Sequence, residues 1–448
     1  MERDLEIFRR RRAALLHRMR AMGGGVLLLP AAEEKLRNQS AEYLFRQDSD
    51  YYYATGFDEP EGCALLFSGK CGADAAGDPD RPELVMFVRP RDKEKEIWNG
   101  RRAGVEGARE LHGADQAFPV AELESRLAGL LDKAGPLWFR FGQDPGWDAR
   151  VARALAELRS RSRAGSEPPL EVKDTGPLVH EARLVKSPEE LARLRRAAEI
   201  TAEAHMAAMR DGQPGRREAQ VQAEIEYAFR RRGGSGPGYG TIVATGVNAC
   251  VLHYRAGDTV LKDGELCLVD AGGEYDLYTA DVTRTFPVNG AFTKPQRTLY
   301  ELVLEAQLAA MAAVKPGTTL EAVHDLCVRR LTEGMVKLGL LQGSVDERIE
   351  DKGYRRYYMH RTSHWLGMDV HDVGAYYLEG KPRPLVPGMV LTVEPGLYVP
   401  PDDEQAPAEY RGVGIRIEDD VVVTASGCDN LTDAVPKTVE EIENVCVR

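Results

Sequence analysis

The chain has 448 residues, 43% hydrophobic and 29% charged, an ordinary globular composition with length enough for two domains. Its formal net charge of -12 argues against nucleic acid or an anionic membrane as the main partner. Seven cysteines without a C-x-x-C pair argue against a disulfide framework or a thiolate zinc site and fit a reducing cytoplasm.

Leu5, Phe8, Leu15, Leu16 and Met19 recur at helical spacing and predict an opening surface helix. Glu2, Asp4 and Glu6 argue against a transit peptide, and apolar runs such as residues 26–30 fall far short of the roughly 18 residues a membrane span needs. Strands are expected at residues 25–30, 51–57, 63–67 and 83–88, and helices at 120–133 and 147–160, which together suggest an α/β domain with a mixed sheet. Residues 71–82, rich in Gly, Asp and Pro, read as a flexible surface loop. Trp98 sits among charged residues in E-I-W-N-G-R-R and is expected to pack beneath them. Residues 160–177 have linker composition, which divides the chain into domains 1–175 and 176–448.

Beyond the linker, Ser187, Pro188 and Glu190 form a capping-box signature that starts a long amphipathic helix to about residue 210. A second helix covers 217–231, a glycine-rich break follows, and strands are expected at 241–247 and 251–254. Helices at 295–314 and 320–338, parted by Pro316 and Gly317, and strands at 390–394 and 413–423 repeat that order. Two helices followed by β-structure, twice over, suggest an α+β domain with an internal pseudo-two-fold duplication, curved antiparallel sheet inside and helices outside.

Residues 267–284, C-L-V-D-A-G-G-E-Y-D-L-Y-T-A-D-V-T-R, read as a hairpin. With its turn near Tyr275 and Asp276, Asp270 and Asp281 fall opposite each other on one face, Cβ atoms roughly 5 Å apart. Facing carboxylates call for a bound cation; the alternative is an exposed hairpin whose acids never meet.

Three histidines, His360, His364 and His371, lie within twelve positions, while Arg361 and Thr362 exclude the H-E-x-x-H zinc-protease pattern. Glu394 ends an apolar strand before a Pro-Gly turn. Alternation puts Val413, Ile415 and Ile417 on one face and Gly414, Arg416 and Glu418 on the other. A glutamate in such a strand needs a partner, and Arg416 or a metal ion would each serve Glu418.

Taken together, these motifs resemble the pita-bread metallopeptidases, aminopeptidase P most closely. The resemblance rests on D-A-G-G-E-Y with D-V-T-R-T-F-P-V, S-H-W-L-G-M-D-V-H-D-V-G, P-G-M-V-L-T-V-E-P-G-L-Y and Y-R-G-V-G-I-R-I-E-D-D. The first domain, with D-S-D-Y-Y-Y-A-T-G-F-D-E-P and E-I-W-N-G-R-R, resembles the creatinase-like amino-terminal domain of that family, more weakly. Arg361 departs from the family's pattern, which has a small residue there, and bears on the shape of that edge of the pocket.

The resemblance implies an exopeptidase that releases the first residue from peptides with N-terminal Xaa-Pro, with prolidase the nearest alternative and a non-catalytic binding protein a remote one. It implies Asp270, Asp281, His364, Glu394 and Glu418 as ligands of two divalent metal ions, with Asp281 and Glu418 between them. The hard, oxygen-rich donor set favours Mn2+. Metal-activated water would attack the scissile carbonyl, with His253 and His371 stabilising the tetrahedral intermediate and Glu394 relaying the proton. His360 would contact the proline side, Tyr398 would edge the proline slot, and Tyr239 and Arg416 would support the ligands, the arginine holding Asp270. The resemblance further implies a homodimer or homotetramer, with Trp98 reaching the substrate site of a neighbouring subunit.

Overall fold

Val26–Pro30 and Cys63–Phe67 are unbroken apolar runs, and both are buried on each face, pairing antiparallel at the centre of a six-stranded sheet. This sheet belongs to the first of two units into which the computed structural model, describing residues 2–69 and 82–446, divides: Met1–Arg183 and Leu184–Arg448. Strand order is Gln116–Pro119, Leu84–Val88, Cys63–Phe67, Val26–Pro30, Leu137–Trp138, Val172–Lys173. The outer pairs run parallel and the inner ones antiparallel, so the sheet is mixed. Helices Leu123–Leu131 and Pro145–Ser160 cover it through Leu123, Leu127, Trp147, Val151 and Leu155. Residues 71–81 of the expected loop lie outside the described residues.

Four expectations for this unit change. Residues 51–57 form a helix, Ser49–Thr55, not a strand: Asp48 accepts the Tyr51 N–H at 2.9 Å as N-cap, and Gly56, at φ 65°, closes the far end on the Tyr52 carbonyl. Local capping outweighs the strand preference of three consecutive tyrosines. Val172–Lys173, inside the expected linker, adds a sheet strand. Asp50 pairs with His180 at 2.9 Å and Arg183 at 2.6 Å, which keeps the segment after residue 176 with the first unit. Trp98, on helix Lys93–Asn99, is 86% exposed rather than packed.

The second unit begins with helix Pro188–Asp211, whose Ser187 and Glu190 form the reciprocal capping box. This helix packs against Glu218–Arg231, and Lys294–Ala313 packs against Leu320–Lys337. Each helix pair is followed by a three-stranded antiparallel sheet: Ile242–Thr245, Leu266–Asp270 and Thr283–Pro287 in one case, Val390–Val393, Asp419–Val423 and Cys428–Asn430 in the other. One core joins helices and strands through Ile200, Val221, Phe229, Val269, Leu299, Val323, Leu391, Val393, Ile415 and Ile417. Residues 251–254 are not a strand. A 3-10 turn, Gly246–Cys250, ends the Ile242–Thr245 strand early, and residues 251–260 continue as loop. Among the described residues no helix is long and apolar enough to cross a membrane.

Candidate active site

The hairpin turns one residue later than expected. Asp276 and Leu277 take positive φ, 52° and 65°, and Tyr275 pairs with Tyr278, so Asp270 faces Thr283 rather than Asp281. Asp281 stands two residues before Thr283 and keeps the same face. The two acids still converge, because the Tyr239 hydroxyl lies 2.6 Å from Asp270 Oδ1 and 2.5 Å from Asp281 Oδ1. Gly272 permits this: a Cβ there would stand 1.7 Å from the Ala280 carbonyl oxygen.

The second sheet brings its residues to the same place. Thr392 and His364 exchange hydrogen bonds, the His364 N–H donating to Thr392 Oγ1 at 3.1 Å and the Thr392 N–H to the His364 carbonyl at 3.0 Å. Glu394 follows, its N–H donating to the Thr362 carbonyl at 2.8 Å. Glu418 sits between strands Gly414–Arg416 and Asp419–Val423; its N–H donates to the Thr283 carbonyl at 3.1 Å, and its Oε2 accepts from Thr283 Oγ1 at 2.6 Å. Ile415 and Ile417 point into the core and Arg416 and Glu418 into a cavity, as the alternation predicts. No helix carries His360 and His364; both lie on irregular chain.

That cavity, about 620 Å³, is lined by Asp270, Asp281, His364, Glu394 and Glu418, and by Tyr239, His253, His360, His371 and Arg416. Donor atoms of Asp281, His364 and Glu418 all lie within 4.8 Å of one another. Glu394 Oε1 is 3.3 Å from His364 Nε2, which also lies 3.4 Å from Asp281 Oδ2.

The donor set fits a divalent cation on two observations. His364 Nδ1 donates to the Trp365 carbonyl at 3.0 Å, leaving Nε2 turned towards the carboxylates, where a lone pair faces negative oxygen unless a proton or a metal intervenes. Burial opposes the imidazolium, yet the bond to Asp281 and the charges of Glu394 and Asp281 raise the His364 pKa to about 9. Burial and the neighbouring Asp281 and Asp270 push Glu394 up to about 7, against His364 and Arg416. Glu418 is pushed well above the usual carboxylate range by burial and by Asp281, Glu394 and Asp270. The cluster calls for more positive charge than Arg416 alone supplies.

Arg416 serves three partners. Its Nη2 donates to Asp270 Oδ2 at 2.6 Å, its Nε to Thr283 Oγ1 at 3.1 Å and its Nη1 to the Tyr398 hydroxyl at 3.0 Å. Tyr398, which therefore accepts from Arg416, meets His360 Nε2 at 2.9 Å, while His360 Nδ1 donates to the Arg361 carbonyl at 2.7 Å. That pattern fixes one His360 tautomer, and burial with the Arg416 charge lowers its pKa to about 3, so the ring is neutral. Tyr398 is 1% exposed, bonds to His360 and does not itself line the cavity. Arg361 is exposed and does not line the cavity, so the departure from the family's pattern leaves its wall unchanged. Trp98 belongs to the other unit.

Three residues outside the expected set bond to the clustered acids and to His364. Asp420 Oδ2 accepts the Asp281 N–H at 2.9 Å, Thr283 links Glu418 to Arg416, and Thr392 links His364 to Glu394. The signal for Asp420 and Thr283 was adjacency to ligands in the E-D-D and D-V-T-R runs.

Residues 192–425 match the model of metallopeptidase family M24, and residues 8–138 match that of the aminopeptidase P N-terminal domain. The Xaa-Pro aminopeptidase of Escherichia coli (strain K12) is 46% identical over 440 residues, 98% of this chain and 97% of that protein. The structure of Pseudomonas aeruginosa aminopeptidase PepP matches with a TM-score of 0.93 at 46% identity, over 99% of this chain and 98% of that one. A zinc-substituted Escherichia coli aminopeptidase P in complex with product matches with the same TM-score, identity and coverage.

Proposed function

The chain belongs to metallopeptidase family M24, and from that premise we infer that its carboxy-terminal cavity releases the first residue of peptides whose second residue is proline. It is a hydrolase, a metal-dependent aminopeptidase acting on Xaa-Pro peptides. The observation that carries this is the convergence of four carboxylates and one imidazole, from two sheets, in a single cavity with three further histidines. Asp270, Asp281, His364, Glu394 and Glu418 would hold two divalent ions, and so oxygen-rich a set favours manganese.

When bound, the metal supplies a water molecule acidic enough to act as a nucleophile near neutral pH. The chain's residues do the rest. Arg416 and Tyr239 keep Asp270 and Asp281 oriented through the bonds described above. His253 and His371 face the cavity and stabilise the oxyanion that develops on the scissile carbonyl. Glu394, steadied by Thr392 at 3.3 Å, moves a proton to the departing proline nitrogen. His360 presents a neutral ring to the proline side. Proline's tertiary amide has no N–H, so a pocket that packs the pyrrolidine ring selects what enzymes gripping that N–H disfavour.

The described cysteines are free, which supports action in the cytoplasm. The assembly is a homodimer or homotetramer in this reading, and the exposed Trp98 is available to the site of a neighbouring copy; unchanged peptide kinetics in Trp98→Ala would remove that role. Comparing an Xaa-Pro dipeptide with Xaa-Pro tripeptides and longer peptides tests the activity itself. Cleavage of the longer substrates is expected, and activity confined to the dipeptide would make the enzyme a prolidase.

A further inference from the structure

His253 has no side-chain hydrogen bond among the described residues, and it lies in the loop that follows strand Ile242–Thr245. Where its imidazole stands is therefore decided by whatever holds that loop. The loop is fastened to one carboxylate. Glu218, at the start of helix Glu218–Arg231 and wholly buried, accepts through Oε1 from the Thr245 N–H and from Asn248 Nδ2, both at 2.9 Å. Its Oε2 accepts from the Tyr254 hydroxyl at 2.9 Å and from the Gly257 N–H at 3.3 Å. The four donors flank His253 on both sides in sequence, and one of them is the next residue.

The same helix end adds backbone contacts. The N–H groups of Glu218 and Ala219, which have no partner within the helix, donate to the carbonyls of Thr259 and Gly257 at 3.0 Å each. Asn248 Nδ2 also donates to the Tyr254 hydroxyl at 2.9 Å, tying the two arms of the loop to each other. On its far side the 3-10 turn abuts strand Gly414–Arg416, where a Cβ on Gly414 would stand 2.3 Å from the Ala249 carbonyl oxygen. A buried carboxylate with its acceptor sites filled by four donors is costly to disturb, and nothing in that set touches a metal ligand.

We infer that Glu218 is a positioning residue for the reaction: through Thr245, Asn248, Tyr254 and Gly257 it sets the place of His253 over the scissile carbonyl. This rests on the reading of His253 given above. Because a displacement of about 1 Å in a catalytic group can cost on the order of 100-fold in rate, loosening the loop lowers kcat more than it alters binding.

Three variants test it: Tyr254→Phe removes one donor, Glu218→Gln keeps one acceptor oxygen but turns an NH2 towards two donors, and His253→Ala removes the imidazole. The substrate is an Xaa-Pro tripeptide and the enzyme is the manganese-loaded full chain. Expected are a kcat lowered roughly ten-fold or more by each loop variant, KM within about two-fold, unchanged manganese content, and faster amide exchange confined to residues 246–257. Most telling is the double variant Glu218→Gln/His253→Ala, expected to be no slower than His253→Ala alone. Multiplying losses in that double variant would overturn the inference, as would loop variants with wild-type kcat beside an impaired His253→Ala, which would leave the reading of His253 standing. A His253→Ala enzyme with undiminished kcat would overturn both.

Discussion

Tyr239 shows how closely the carboxylates are crowded, since one hydroxyl meets both Asp270 and Asp281 while carrying a single proton. Removing that hydroxyl leaves two acids with less to separate and orient them, so Tyr239→Phe is expected to weaken manganese binding by about 10- to 100-fold, read by calorimetric titration. Asp281→Ala is expected to abolish peptide cleavage while circular dichroism stays native; an active Asp281→Ala enzyme would refute the ligand assignment. The proposed ligands stood out in the sequence because acids at the ends of apolar strands demand partners, and Glu394 and Glu418 stand in such places. Asp420 and Thr392 did not. Asp420 acts by holding the Asp281 backbone and Thr392 by bonding the His364 N–H, and beyond the place of Asp420 two residues after Glu418 neither contact leaves a pattern in spacing or polarity.

Among elements, the hairpin depends on Gly272, whose missing Cβ lets the chain pass the Ala280 carbonyl. Gly272→Ala must push the strands apart, and the expected outcome is a protein that loses its metal, measured as manganese per chain after gel filtration. The Ser49–Thr55 helix escaped the sequence reading because its tyrosines favour strand and its signals are single residues, Asp48 and Gly56. Asp50 ties that helix to His180 and Arg183. Burial works to raise the Asp50 pKa, but the His180 bond and the Arg183 charge outweigh it and bring it to about 2. A carboxyl lowered on folding stabilises the native state at pH values above its unfolded pKa, near 4, and that contribution is lost as pH falls through the folded value. Asp50→Asn should therefore cost roughly 2 kcal/mol at pH 7 and much less at pH 2, as denaturant titrations at the two values would show.

At the scale of the molecule, helix pairs alternating with sheet were legible from periodicity and capping, since Ser187 with Glu190 and the Pro316-Gly317 break are local and strong. The division between units was less so. It depends on Val172–Lys173 joining a sheet and on side chains reaching back to Asp50, which are long-range contacts that linker-like composition conceals. The two sheets of the second unit matter together, because Asp270 and Asp281 lie on or beside one and His364, Glu394 and Glu418 on the chain flanking the other, so that all five line one cavity only when both sheets are in place. The most direct measurement is therefore hydrolysis of an Xaa-Pro tripeptide by protein stripped of metal by chelation and then titrated with manganese. The expected result is no cleavage in the stripped enzyme and recovery that saturates near two ions per chain; full activity in protein verified to be free of metal would contradict the account.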